Sequence, residues 1–251
     1  MKKIILSILM LVSIASTSFA IGGGFEFILN VPVGISVGVY DYDLTDWAER
    51  QDIMLGGIYR NQFAKNGGIG FDIGVSAQLG YMIKFTDSIG LSILGEVGYS
   101  HDTYSYVSKI INNNSYTYSF ESIQLGLLPK FNIKNFAIGI GGGIKIPLAG
   151  NYRYKTSLGS VDTKIDSDYM KITFEKAVIP YLKFTFDYSI FFTEKTAFNI
   201  GLYLGYDFGL EPNLYGFNGA VDGNRLVIDE IAYSSFDVGL QLGFKFGPST
   251  K

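Results

Sequence analysis

One histidine stands in this 251-residue chain, His101, and it lies between Ser100 and Asp102. Serine, histidine and a carboxylate are the residue types of an acyl-transfer site, where the imidazole takes the hydroxyl proton and the carboxylate orients the ring. Three consecutive residues serve that chemistry only if the backbone bends, because neighbours on an extended strand point to opposite faces. A site built on His101 would have to recruit partners from other segments, so the expectation is a chain that is not an enzyme. The rest of the reactive inventory is short. There is no cysteine, which removes disulfides, thiolate metal sites, thiol nucleophiles and a lipidated cysteine anchor. A lone histidine removes multi-histidine metal centres, and no cofactor is expected. The net charge of −3 lacks the basic excess that a nucleic-acid partner requires.

What remains is a set of scattered carboxylates, lysines and amides: Glu26, Asp72, Gln78, Lys84, Glu96, Lys145, Asp207, Asp237, Gln241 and Lys245. Their chemistry is ion pairing and hydrogen bonding, and it acquires meaning only through the elements that hold them. Those elements read as strands. Glycine at 31 residues, tyrosine at 18 and phenylalanine at 20 disfavour helices and suit pleated surfaces and tight turns. From Ile69 to Phe85 the odd positions are Ile, Phe, Ile, Val, Ala, Leu, Tyr, Ile and Phe, while the even ones are Gly, Asp, Ser, Gln, Met and Lys. Strict alternation of this kind is a strand with unlike faces. Segments 136–146, 198–208 and 237–246 repeat it, and weaker strands cover about 24–40, 89–100, 116–133 and 172–192, interrupted by Pro32, Pro129 and Pro180. That makes eight.

Connections alternate in length. Thr86-Asp87-Ser88, Lys134-Asn135 and Thr193-Glu194-Lys195-Thr196 are short, whereas about 41–66, 101–115, 149–171 and 209–230 are long. An up-and-down meander then has all tight turns at one end and all long loops at the other. The apolar face of the four clearest strands carries no charge, as a bilayer-facing surface requires, since a cation there costs about 2–4 kcal/mol at the midplane. The other face is Gly, Ser and Ala with isolated charges, which suits a crowded lumen. A bilayer forbids an open sheet edge, so the sheet must close. The expected fold is all-β: a closed eight-stranded antiparallel up-and-down transmembrane β-barrel over residues 21–251. Residues 1–20 read as a cleavable signal peptide: Lys2 and Lys3, an apolar stretch from Ile4 to Ala15, and Ser18-Phe19-Ala20 ahead of the cut after Ala20.

The pattern resembles the small outer-membrane β-barrels of Gram-negative-type bacteria, the eight-stranded class that includes the OmpA membrane domain and OmpX. Its most specific part is the last strand, Asp237-Val238-Gly239-Leu240-Gln241-Leu242-Gly243-Phe244, similar to the assembly signal of that class. The resemblance implies recognition by the barrel-assembly machinery and periplasmic chaperones, with membrane lipid as the standing partner. It departs at the end, where Gly247-Pro248-Ser249-Thr250-Lys251 follows Phe246.

An eight-stranded barrel is filled by its own side chains, so a diffusion pore is not expected. The lumenal residues named above should form a paired network. Glu26 and Lys245 fall at similar heights on neighbouring strands and are expected to pair, with Lys84 close by. Glu96, Asp207 and Asp237 are expected to face Lys145. The network either solvates and plugs the bore or acts as an ion-pair gate. The long loops hold Trp47, in a turn capped by Thr45, and Tyr104, Tyr106, Tyr152 and Tyr154, residue types that anchor binding partners. The expected role is structural and surface-interacting, adhesin-like, with an extracellular ligand for the loops; a narrow gated channel and a lipid-A-modifying enzyme are the alternatives. Asp166 and Asp168 offer weak calcium binding or merely a solvated acidic loop.

Overall fold

The period-two segments form long antiparallel strands in the computed structural model, which describes residues 23–110, 114–175, 177–214, 221–222 and 225–250. The signal peptide expected over residues 1–20, with its cut after Ala20, lies outside the described residues. Eight strands make a ring: β1 Gly24–Leu44, β2 Ile69–Lys84, β3 Ile89–Ser108, β4 Ser115–Leu127 resumed at Lys130–Ile133, β5 Phe136–Thr156, β6 Ile179–Phe191, β7 Thr196–Leu210 and β8 Ile228–Phe246. Each pairs with its sequence neighbours, and β1 closes on β8 from Phe27 opposite Phe246 to Asp43 opposite Glu230. One hydrogen-bonded row runs from Ile28 through Gln78, Glu96, Gly126, Gly143, Tyr181, Asp207 and Ser235 and returns to β1 at Gly38, ten residues higher. Closure with stagger of this kind tilts strands by about 35–45°.

Alternation dictates the faces. Phe71 and Leu202 on the outside are 52% and 53% exposed, whereas Asp72 and Gln241 on the inside are 7% and 0% exposed. Along β1 the outward residues from Phe25 to Val39 are all Phe, Leu, Val or Ile. Aromatic side chains ring the short-turn end at Phe25, Phe136, Phe244 and Phe246, and others face outward nearer the loops at Tyr99 and Phe208. An apolar belt of this height is a lipid-facing surface, and the polar bore inside it would be incompatible with the reverse orientation. No described helix is long and apolar enough to cross a membrane; this chain crosses with strands.

The connections are shorter than the sequence suggested, because the strands rise past the apolar belt. β3 continues to Ser108 and β5 to Thr156, and a further strand, Gly159–Ile165, folds back on β5. The first long connection holds α1 (Asp46–Met54), α2 (Ile58–Phe63) and a short strand, Lys65–Gly67, paired with β3. Thr45 caps α1 by accepting from Ala48 N. α3 (Ser167–Thr173) replaces the start expected for the sixth strand, and the Asp166 carboxylate is occupied in capping it, accepting from Asp168 N and Tyr169 N.

Two prolines mark the irregularities. Pro129 donates no hydrogen bond, yet Leu94 O accepts from Leu128 N and Pro129 O accepts from Ile140 N, so the row continues and Leu128, Lys130 and Asn132 all stay inside. At Pro147 the ladder slips: Ser122 faces Pro147 but Glu121 faces Ala149. Leu148 is the extra residue of a bulge, and it exchanges the two faces of β5 above it. Lys145 points inward below the bulge, and Tyr152 and Tyr154 are turned toward the interior above it.

An ion-paired bore beneath a tyrosine cup

The bore is layered from the short-turn end upward. In the first layer Lys245 Nζ meets Glu26 Oε1 at 2.6 Å across the β1–β8 seam; Ser92 donates to the same carboxylate, and Asn132 donates to Ser92 Oγ at 2.9 Å. Next, Lys130 Nζ meets Asp187 Oδ2 at 2.7 Å, and Gln241 Nε2 donates to Asp187 Oδ1 at 2.5 Å. Above this, Lys183 Nζ lies 3.1 Å from both oxygens of Glu96, which also accepts from Gln78 Nε2 at 2.7 Å and from Gln124. In the fourth layer Lys145 Nζ bridges Asp102 Oδ1 at 2.7 Å and Asp207 Oδ2 at 2.6 Å. Asp72 accepts from Thr103 N and Ser36 Oγ, and Asp237 accepts from Ser235 Oγ. A cavity of about 50 Å³ lies among these last groups. It has room for water but not for a solute.

Several placements differ from the sequence expectation. Glu96 is not opposite Lys145; its base is Lys183, and the acids on Lys145 are Asp102 and Asp207. Lys84 is half-buried at the short-turn mouth, lining it with Asp87, Glu194 and Lys195 rather than joining the Glu26 pair. The sequence does not assign Asp102, Lys130, Lys183 or Asp187 to this network; Asp102 is singled out there only as a neighbour of His101. The first fell in an expected loop. The other three sit on β4 and β6, where the inward row was not read, although Lys183 and Asp187 alternate with Leu182, Phe184, Phe186 and Tyr188.

Tyr104 and Tyr106 are corrections of another kind. Expected in an exposed loop, they are 2% and 0% exposed. The even positions of β3 keep facing inward to the end of the strand, so both rings lie inside the barrel. Tyr104 donates to Asp207 Oδ2 at 2.6 Å and Tyr106 to Ser234 O at 2.8 Å. With Tyr118, Phe120, Phe174 and Tyr233 they form a packed aromatic layer directly above the Lys145 cluster. Ring centroids are 5.2 Å apart for Tyr106–Tyr233, 5.3 Å for Tyr118–Tyr233 and 5.9 Å for Tyr104–Phe120. These are the separations of well-packed aromatic pairs.

Over this layer the barrel opens into a cup of about 560 Å³. Its wall is laddered across β4 and β5: Tyr116 stacks on Tyr154 with centroids 5.0 Å apart, and Tyr118 meets Tyr152 at 4.8 Å. Tyr169 and Thr173 from α3, Gln62 and Phe63 from α2, and Asn213 complete the rim, while Tyr118 and Tyr233 reach into the floor. Lys65 stands inside, its Nζ 4.0 Å from the centre of the Tyr40 ring, 5.3 Å from Tyr116 and 5.6 Å from Tyr233. Burial pushes its ammonium down to about 8. Trp47 is half-buried to one side, with Arg225 over its ring at 5.3 Å.

The Ser100–His101–Asp102 trio is split between faces. Ser100 and Asp102 bond each other inside at 2.6 Å, whereas His101 lies outside with Nδ1 2.7 Å from Glu121. Among the described residues no group of three or more His, Asp or Glu is placed to hold a metal ion.

No family model matches the chain, and no curated protein matches it. Solved structures similar to it include Neisserial surface protein A, at 10% identity over 85% of this chain and 96% of that one with a TM-score of 0.36. The outer membrane protease OmpT from Escherichia coli matches at 8% identity over 91% and 97%, with a TM-score of 0.36. The outer membrane protein OprG from Pseudomonas aeruginosa matches at 12% identity over 88% and 95%, with a TM-score of 0.34. The membrane-spanning barrel fold rests on this chain's own closed ring of eight strands and its apolar exterior.

Proposed function

We propose that the chain is an outer-membrane barrel that works as a surface-interaction protein, holding its ligand at the loop end and passing nothing through its bore. The observation that supports this is the contrast between the two halves. Below, four ion-paired layers and an aromatic layer fill the interior and leave a cavity of about 50 Å³. Above, a cup of about 560 Å³ opens where the connections are longest. Binding residues sit on such connections when a rigid scaffold positions them. The short-turn end, on this reading, faces the periplasm, and the bilayer lipid contacts the apolar belt.

The split of Ser100 and Asp102 from His101 disfavours acyl-transfer chemistry, and the filled bore disfavours a channel. Three measurements test the proposal. The protein extracted from outer-membrane fractions should migrate differently on a gel before and after heating. It should add no steps of current to a planar bilayer. Replacing 46–63 and 157–173 by short turns should remove retention of cells on the surfaces or matrices to which the intact protein holds them. Steady conductance with retention unchanged by the replacements would overturn it.

A further inference from the structure

The cup has a shape and a lining that together specify a ligand. Its volume falls within the range of small-molecule sites, about 300–1,000 Å³. It is a pit, floored by Tyr118 and Tyr233 and lined by residues of β4, β5, α2 and α3, so it suits a compact group or the end of a chain more than a through-running peptide. The lining is mainly tyrosine, with Phe63 and Ile172 as apolar neighbours. Tyr116, Tyr152, Tyr154 and Tyr169 are half-buried and offer a flat apolar face and a hydroxyl at its edge, over the buried rings of Tyr118 and Tyr233. The Tyr154 hydroxyl already accepts from Asn114 at 2.7 Å, but a hydrocarbon would cover those of Tyr152 and Tyr169 without giving them partners, which is costly. A ring with apolar C–H faces and hydroxyl edges satisfies both, and Gln62, Thr173 and Asn213 add further donors and acceptors at the rim. The two ring pairs across β4 and β5, one stacked and one tilted, hold the wall in place before anything binds, which lowers the ordering cost of binding. Charge gives the polarity: among the described lining residues Lys65 is cationic and none is acidic.

We propose that the cup binds an acidic saccharide, its ring faces against the tyrosine wall and its carboxylate directed at Lys65. The inference rests on the reading of the loop end as the working face and adds the ligand class. It is tested by calorimetric titration of the full barrel, folded in detergent, with trigalacturonic acid and, separately, with neutral galactotriose. The acidic sugar should bind one per chain, about tenfold or more tighter than the neutral one. Tyr152→Ala should weaken both by about tenfold or more, Tyr152→Phe, which keeps the ring face and loses the hydroxyl, should recover part of that loss for both, and Lys65→Gln should bring the two sugars to equal affinity. Heat-shifted gel migration verifies that each variant is folded, and Tyr169→Ala, on α3 outside the ring, serves as a second variant should Tyr152→Ala fail to fold. Absence of binding by both sugars overturns the inference, as does binding unchanged in both the Tyr152→Ala and Tyr169→Ala variants. A proline-rich peptide that occupies the cup while the sugars do not also overturns it. If the sugars fail but Tyr152→Ala still abolishes cell retention, the saccharide is lost and the surface role stands; if retention is indifferent to the cup as well, both fall.

Discussion

Glu26 on β1 and Lys245 on β8 meet at 2.6 Å diagonally across the seam where the sheet closes on itself, and both are buried. They tie the first strand of the ring to the last, so the pair exists only once the barrel is complete. Removing one member strands a buried charge, which costs about 3–5 kcal/mol, whereas replacing both by neutral groups of similar volume is close to neutral. Lys245→Met is therefore expected to lower stability by about that amount, and the added change Glu26→Gln to recover most of it. Urea titration of the folded and unfolded gel bands in detergent measures both. Equal losses in the single and double variants would show that the seam does not depend on this pair.

The inward glycines make room for that chemistry. A Cβ on Gly201 would fall 2.1 Å from Asp187 Oδ1 and 2.9 Å from Gln241 Cγ, on an inner wall with no slack. Gly201→Ala is expected to displace the Asp187 carboxylate from Lys130 and to destabilise the barrel by about 1–3 kcal/mol. Gly159, with open space around its Cβ position but φ +150, is a contrast in cause: an alanine there meets backbone strain rather than a neighbour. The same urea titration on Gly201→Ala decides whether the packing is as tight as the geometry indicates.

Lys65 supplies a pH dependence with a definite sign. In the folded protein its ammonium gives up its proton near pH 8, against 10.5 for an ordinary lysine, because burial among Tyr40, Tyr116 and Tyr233 disfavours the charged form. Between those values the unfolded chain holds the extra proton, so this residue makes the fold more stable as pH rises through the window and contributes no such change below it. Carbon NMR of methylated lysines should show one resonance titrating near pH 8 and absent from Lys65→Met. A Lys65 midpoint at the ordinary lysine value would mean that the cup is wetter than its packing suggests.

How far the sequence could be read follows from the same parity that builds the barrel. Phe71 beside Asp72, and Leu202 beside Tyr203, announce two faces without any knowledge of the fold, and an apolar face free of charge announces which one meets lipid. The seam pair was accessible too, because Glu26 and Lys245 can be counted upward from a common end. Heights deeper in the bore were not accessible. Each strand is displaced from the next by the stagger of closure, so Glu96 finds Lys183 rather than Lys145. Tyr104 and Tyr106 were hidden by their polarity: a tyrosine-rich strand end reads like a loop, although the inward row of β3 runs on through Ser100, Asp102 and Tyr104 without a break. The bulge at Pro147-Leu148, which turns Tyr152 and Tyr154 inward, depends on a ladder slip that no local residue pattern specifies.

The aromatic layer rather than the ion pairs should set the electrical resistance of the bore. The Lys145 cluster is polar and borders a cavity with room for water, so ions need cross little dry material at that height. Directly above, Tyr104, Tyr118, Phe120, Phe174 and Tyr233 leave only about 10 Å³ between them, too little for a connected file of water. Lys145→Ala alone is thus expected to destabilise the barrel yet leave a planar bilayer electrically silent. Tyr118→Ala combined with Phe120→Ala removes two rings from the seal while leaving the Lys145, Lys183 and Lys130 pairs intact, and is expected to give small steady currents. The opposite result, current from Lys145→Ala and silence from the double aromatic variant, would place the seal in the ionic layers and return the bore to the ion-pair gate that the sequence also allowed.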